Sequence, residues 1–143
     1  MSPAASGLAL TTRLEHTSFP DAVDRTRKVL AEQGFGVLTE IDMAATLKAK
    51  IGAEMENYLI LGACNPPLAH AAIGVDRRIG LLLPCNVVVR EDVANPGSVI
   101  VEAMNPDVMV QVDDAPGLPE VAARAAEKLR AAIATLEAGA VAE

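Results

Sequence analysis

The sequence predicts one α+β domain, ordered as a strand, a helix, four further strands with two short helices between them, and a long closing helix. Three observations predict it. Polar and apolar residues alternate along Leu8, Leu10, Thr12 and Leu14, as in a half-buried strand. Helix-start signals recur at Ser18-Phe19-Pro20-Asp21 and at Asn65-Pro66. Near the C-terminus, Val121, Ala125, Leu129, Ala132, Ile133 and Leu136 fall on one helical stripe, with Glu120, Arg124, Glu127, Lys128 and Arg130 mostly elsewhere.

Each element has its own local reason. Leu8 to Leu14 is the first strand. Ser18 is placed to cap the first helix, Pro20 falls where a missing N–H does no harm, and Asp21 suits the positive end of the helix dipole. Phe19, Val23, Thr26 and Leu30 share a face, and Gly34 can take the left-handed conformation that stops the helix. Phe35 to Ile41 follows as a second strand. Asp42 is set to cap a short helix, Met43 to Ile51, closed by Gly52. Tyr58 to Ala63 forms a third strand, and Asn65 caps a helix running to about Val75. Leu81 to Val89 and Ser98 to Met104 read as the fourth and fifth strands, joined by the turn Asn95-Pro96-Gly97. The long helix spans Pro119 to Glu137. One domain is thus expected over residues 8–137, with loose tails at 1–7 and 138–143.

Composition narrows the function classes. The 143 residues are 51% hydrophobic and 22% charged, so the chain can bury a core without disulfides or metal. No apolar run reaches the roughly 20 residues of a membrane span. Residues 1–10 carry neither a basic group nor a long apolar stretch, so a soluble cytoplasmic protein without membrane contact is expected. The net charge of −7 repels phosphate backbones, and Phe19, Phe35 and Tyr58 are too few for a base-stacking platform. Nucleic acid is therefore not an expected partner. No cofactor is predicted, because the glycines of Gly34-Phe35-Gly36 lead into a strand rather than a phosphate-binding helix.

Three segments carry a family resemblance. Gly34-Phe35-Gly36-Val37-Leu38-Thr39-Glu40-Ile41-Asp42, Leu61-Gly62-Ala63-Cys64-Asn65-Pro66-Pro67 and Leu82-Leu83-Pro84-Cys85-Asn86-Val87-Val88-Val89 resemble, in that order, a bacterial and archaeal family of unknown function, DUF 302. The resemblance runs from about residue 8 to residue 136. It implies a β-α-β(4)-α domain of the TATA-binding-protein-like fold class, an antiparallel sheet with helices packed on one face, and a homodimer. It implies no activity, because function resides in sites rather than scaffolds.

Six residues stand out as ligand or thiol site candidates: Cys64, Asn65, Cys85, Asn86, Glu40 and His70. Cys64 lies one residue outside the helix that Asn65 caps, where free N–H groups and the dipole favour a thiolate; alternatively it is a small hydrophobe ending a buried strand. Alternation puts Cys85 on the face of Leu81, Leu83, Val87 and Val89, which reads as core, although a bulge at Pro84 can turn it outward. Asn86 echoes Asn65 beside its own cysteine. If the third and fourth strands pair about the chain midpoint, Cys64 sits opposite Gly80 and roughly 17 Å from Cys85, too far for a disulfide. The intervening helix frees that register, so a disulfide or a soft-metal site on Cys64 and Cys85 stays open. Glu40 and Asp42 share a strand face, as an acid/base pair or as a solvated strand end and a helix cap. His70 is either a weak ligand near Cys64 or a surface histidine.

Three functions compete. The first is a homodimeric binding module for a small ligand, with no catalytic constellation, which suits the few aromatics and many Ala, Val and Leu residues. The second is a thiol-dependent sulfur, redox or soft-metal protein using Cys64, with or without Cys85. The third is an interaction scaffold.

Overall fold

A computed structural model describes residues 7–142, with side-chain surroundings through residue 139. The tail expected at 1–7 lies, apart from Gly7, outside the described residues, and so does residue 143. The strands are β1 (Ala9–Leu14), β2 (Gly36–Asp42), β3 (Tyr58–Cys64), β4 (Cys85–Glu91) and β5 (Val99–Met104). The helices are α1 (Phe19–Glu32), α2 (Met43–Ile51), α3 (Pro66–Val75), α4 (Asp107–Val112) and α5 (Leu118–Ala142). The five strands form one antiparallel sheet in the order β1-β5-β4-β3-β2. The order is compatible with the fold class that the resemblance implies.

The local signals act as expected. Ser18 Oγ accepts from Asp21 N at 3.2 Å, Asp42 Oδ1 from Ala45 N at 2.9 Å, and Asn65 Oδ1 from Leu68 N at 3.3 Å. Each satisfies an amide that the first turn leaves without a helical partner. Gly34 adopts φ +82°, in the left-handed region, just past the end of α1.

Four elements differ from the sequence expectation. Residues Arg77–Leu82 form a 3-10 helix, so β4 starts at Cys85 rather than Leu81. Leu81 is 87% exposed there instead of sharing the core face with Cys85. The run Leu81-Leu82-Leu83 is apolar enough for a strand, but Asp76 caps the 3-10 turn by accepting from Arg78 N, and Leu83 N donates to the Gly80 carbonyl. The short α4 gave no cap signal, and no side chain caps it. Finally, α5 continues through residues 138–142, where a tail was expected.

Two buried clusters lie under the helices. The larger joins Leu10 and Leu14, Leu59, Leu61 and Ala63, Val87 and Val89, and Val99, Val101 and Ala103 to α1 and to Leu129, Ala132 and Leu136 of α5. The smaller joins Leu68 and Ala72 of α3, Ile79, Met109 of α4, and Leu118, Val121, Ala122 and Ala125 of α5. α5 therefore spans both, its first turns over one and its later turns over the other.

The opposite face of the sheet holds neither cluster. Ile41, Ile60 and Val88 form a row across β2, β3 and β4, flanked on the same face by Tyr58 and Arg90 two rungs along. Ile41 is 45% exposed, and Ile60, Val88 and Ile100 are half-buried. Arg90 Nε donates to Glu102 Oε1 at 2.8 Å across the β4–β5 pair.

Candidate functional site

The site builds from the adjoining ends of β3 and β4. In the register of these strands Ala63 pairs with Cys85, so Cys64 is one rung from Cys85. The midpoint expectation of Cys64 opposite Gly80, with roughly 17 Å between the cysteines, is overturned. The cause is the connection, in which α3 and the 3-10 helix consume residues unevenly and free the pairing from the chain midpoint. Adjacent rungs nonetheless point side chains to opposite faces. Cys85 faces inward, 7% exposed, while Cys64 is half-buried on the other face. Both are free thiols.

The helix tip beside Cys64 lacks what the thiolate reading requires. Pro66 and Pro67 carry no N–H, and the Leu68 amide is already given to Asn65 Oδ1. The Ala69 amide bonds the Asn65 carbonyl. The expectation of free N–H groups for a thiolate thus fails at α3, because proline suits a helix start by having no donor to leave unpaired.

Asn65 instead ties elements together. Its Oδ1 caps α3, and its Nδ2 donates to the Gln33 carbonyl at 3.4 Å, at the end of α1. A Cβ on Gly34 would approach Asn65 Nδ2 to 3.1 Å, so the glycine provides room as well as a positive φ.

Between α3 and α5, above Cys85, lies an apolar crevice with a volume of about 30 Å³. Phe35, Ala63 and Cys85 line its sheet side, Leu68 and Ala72 its α3 side, and Val121 and Ala125 its α5 side. Phe35 and Ala63 belong to the larger buried cluster, whereas Leu68, Ala72, Val121 and Ala125 belong to the smaller. Cys85 belongs to neither. The crevice is the seam where the two cores fail to merge. Burial pushes the Cys85 thiol up to about 11, with a further contribution from nearby Cys64, so it holds its proton at neutral pH. A neutral buried thiol behaves as a small hydrophobe. Larger clefts, of about 290, 330 and 530 Å³, are more open and are lined in part by exposed groups such as Arg78, Glu137 and Pro96.

The six candidates therefore do not form one cluster. Asn65 and Cys85 line the crevice. Asn86 pairs with Gly62 in the ladder and is exposed. Glu40 bonds Arg27 of α1, and Asp42 serves as the α2 cap. His70 is exposed on α3. No group of three or more His, Cys, Asp or Glu side chains converges as a metal site among the described residues. Leu68, Val121 and Ala125 carried no sequence signal beyond helical periodicity, which marks a buried face but not what that face meets.

A family model described as "Domain of unknown function DUF302" matches residues 10–136. The chain belongs to the DUF302 family. Its fold is similar to a crystal structure described as an uncharacterized conserved DUF302 protein from Bacillus stearothermophilus. The TM-score is 0.80 at 26% identity, covering 90% of this chain and 97% of that one. No curated protein matches. Among the described residues, no helix is long and apolar enough to cross a membrane.

Proposed function

We propose that this DUF302 domain is a cytoplasmic, homodimeric binding module for a small ligand, working without catalysis or cofactor. One observation carries the reading: an apolar crevice at the seam of two cores, floored by a neutral thiol. The crevice shares the apolar lining of ligand pockets but, at about 30 Å³, has a tenth or less of their usual volume of about 300–1,000 Å³. Asn65, at the rim, fixes α3 against α1 and so holds one wall of the crevice in position. The sheet face opposite the helices supports the dimer. Its row of Ile41, Ile60 and Val88 gives a second copy an apolar surface, with the Arg90–Glu102 pair beside it.

The thiol-dependent reading draws less support. Cys64 and Cys85 are close along the ladder but face opposite sides, and the tip of α3 has no free amide for Cys64.

Native mass spectrometry of the purified protein tests the ligand, with Ala69→Phe as the closed control, since Ala69 lies at the half-buried rim. A small-molecule adduct on the wild type that the variant loses supports the reading. An adduct retained equally by both opposes it. Sedimentation of Ile60→Glu tests the dimer: the wild type sediments as a dimer and the variant as a monomer, whereas a monomeric wild type removes the dimer.

A further inference from the structure

We infer that the cleft at the end of the sheet opposite the cysteines binds a small organic ammonium ion carrying an apolar body. This cleft is separate from the crevice above Cys85, so the inference stands or falls independently of the binding-module reading.

The cleft lies among the start of α1, the residues just before β3 and the turn from β4 to β5. β3 and β4 carry their cysteines at the other end, where Ala63 pairs with Cys85. Its volume is about 530 Å³. That falls within the ~300–1,000 Å³ usual for ligand pockets. Main-chain bonds hold its walls. Asp92 N donates to the Ser98 carbonyl at 3.0 Å, and Thr17 N donates to the Gly97 carbonyl at 3.3 Å. Asp92 is buried, and its carboxylate accepts from Ala94 N, Asn95 Nδ2 and Arg13. The shape is therefore set before anything enters, and a ligand need not order the loop.

Charge and lining select the class. Glu56, Glu91 and Asp92 line the cleft, and no Lys, Arg or His does. Arg13 answers Asp92 from outside the lining. Glu91 Oε1 accepts from Asn57 N at 3.0 Å, a bond that leaves its charge uncompensated. Glu56 is half-buried and has no hydrogen-bond or ion-pair partner among the described residues. Two carboxylates thus line a concave site without a cation of their own, and such a cleft concentrates positive charge. An anion gains little from the tip of α1, where the Asp21 amide is given to Ser18 Oγ and Pro20 has no N–H. No group of three or more His, Cys, Asp or Glu side chains converges for a metal among the described residues, so the cation that fits is organic. Phe19, Pro20 and Val93 supply an apolar wall for the rest of the molecule. A hydrocarbon body covers that wall, which a bare ion would leave wet.

Amide and methyl NMR on the full chain at pH 7 tests the inference, following Phe19, Val93, Ser98 and Val99 while matched probes are added. The probes are 2-phenylethylamine, 2-phenylethanol and 3-phenylpropionate, which share a ring and differ in charge. The expected result is saturable shifts of those four residues with the amine alone, fading as salt is added. Glu56→Gln and Glu91→Gln, whose spectra elsewhere report an intact fold, should each weaken the amine by a factor of about two to five, as for one exposed ion pair. Equal affinity for the amine and the alcohol, or an amine affinity that neither variant changes, would overturn the selection by charge. Saturation by the carboxylate would overturn it too. If none of the three probes gives saturable shifts at these residues, the cleft is no binding site and the inference falls.

Discussion

Ala63 and Cys85 face each other across the β3–β4 pair, on the side of the sheet that the helices cover, and this pairing sets Cys85 at the floor of the crevice. The same register leaves Cys64 one rung away on the opposite face. The two cysteines are neighbours in the ladder with separate environments.

Thiol reactivity should divide accordingly. At pH 7.5 an alkylating reagent is expected to modify Cys64 well before Cys85, and denaturant should equalise the two. Peptide mass mapping over time checks this; equal rates in the folded protein contradict it. The pH dependence follows with a definite sign. The native thiol of Cys85 keeps its proton up to about pH 11, against a usual value of 9.0. Its contribution is therefore complete below pH 9 and is lost as pH rises from 9 through 11. At about 1.4 kcal/mol per unit, the loss is about 2–3 kcal/mol. Urea melts should show the unfolding free energy of the wild type falling by about that much more than that of Cys85→Ala between pH 8 and 11.

Gly62→Ala should be strongly destabilising. An added Cβ would come to 2.1 Å from Thr39 Oγ1 and 2.8 Å from Pro84 Cγ. Thr39 can turn its hydroxyl away, but the Pro84 ring cannot rotate. A loss of about 2–3 kcal/mol is expected, of the size that overpacking brings. Adding Thr39→Ala should recover only part of it. Chemical denaturation of both variants makes the check, and full recovery would remove Pro84 from the account.

Asn65→Ala removes a helix cap and also the link to Gln33. A cap alone contributes about 1 kcal/mol. With the second hydrogen bond, the expected loss is about 2 kcal/mol. Asn65→Asp should retain the cap and lose only the donor to Gln33, and equilibrium unfolding is expected to rank it between wild type and Ala.

On the acid side, Asp92 is the group to watch. The Asn95 side chain, the Ala94 amide and Arg13 all bond its carboxylate and hold it below the usual range. Its contribution is thus present above the unfolded value near 3.8 and is lost as pH falls through the lower native value. Asp92→Asn should flatten the decline in melting temperature below pH 4. An unchanged decline would assign it to other carboxylates.

What the sequence made legible was what is decided locally. Ser18, Asp42 and Asn65 each cap an amide three residues on, so nothing distant is needed to read them. The closing helix was equally clear, because Val121 to Leu136 repeat over several turns. The strand start at Cys85 was hidden because Leu81-Leu82-Leu83 suits a buried strand and a 3-10 turn alike; Pro84, which cannot donate to a ladder, was the available signal. The register of Ala63 with Cys85 depends on how much chain α3 and the 3-10 turn consume. The crevice depends on where α3 and α5 meet, which no local pattern encodes. Of the six candidates, only Asn65 and Cys85 meet at it, and its helical walls came from residues that read simply as core.

A crystal of the protein pressurised with xenon tests the central claim most directly, since this apolar atom reports dry, accessible space. The account predicts a xenon site bounded by Cys85, Leu68 and Val121, lost in Ala69→Phe. Xenon absent from the seam, with α3 and α5 closed over Cys85, would contradict it.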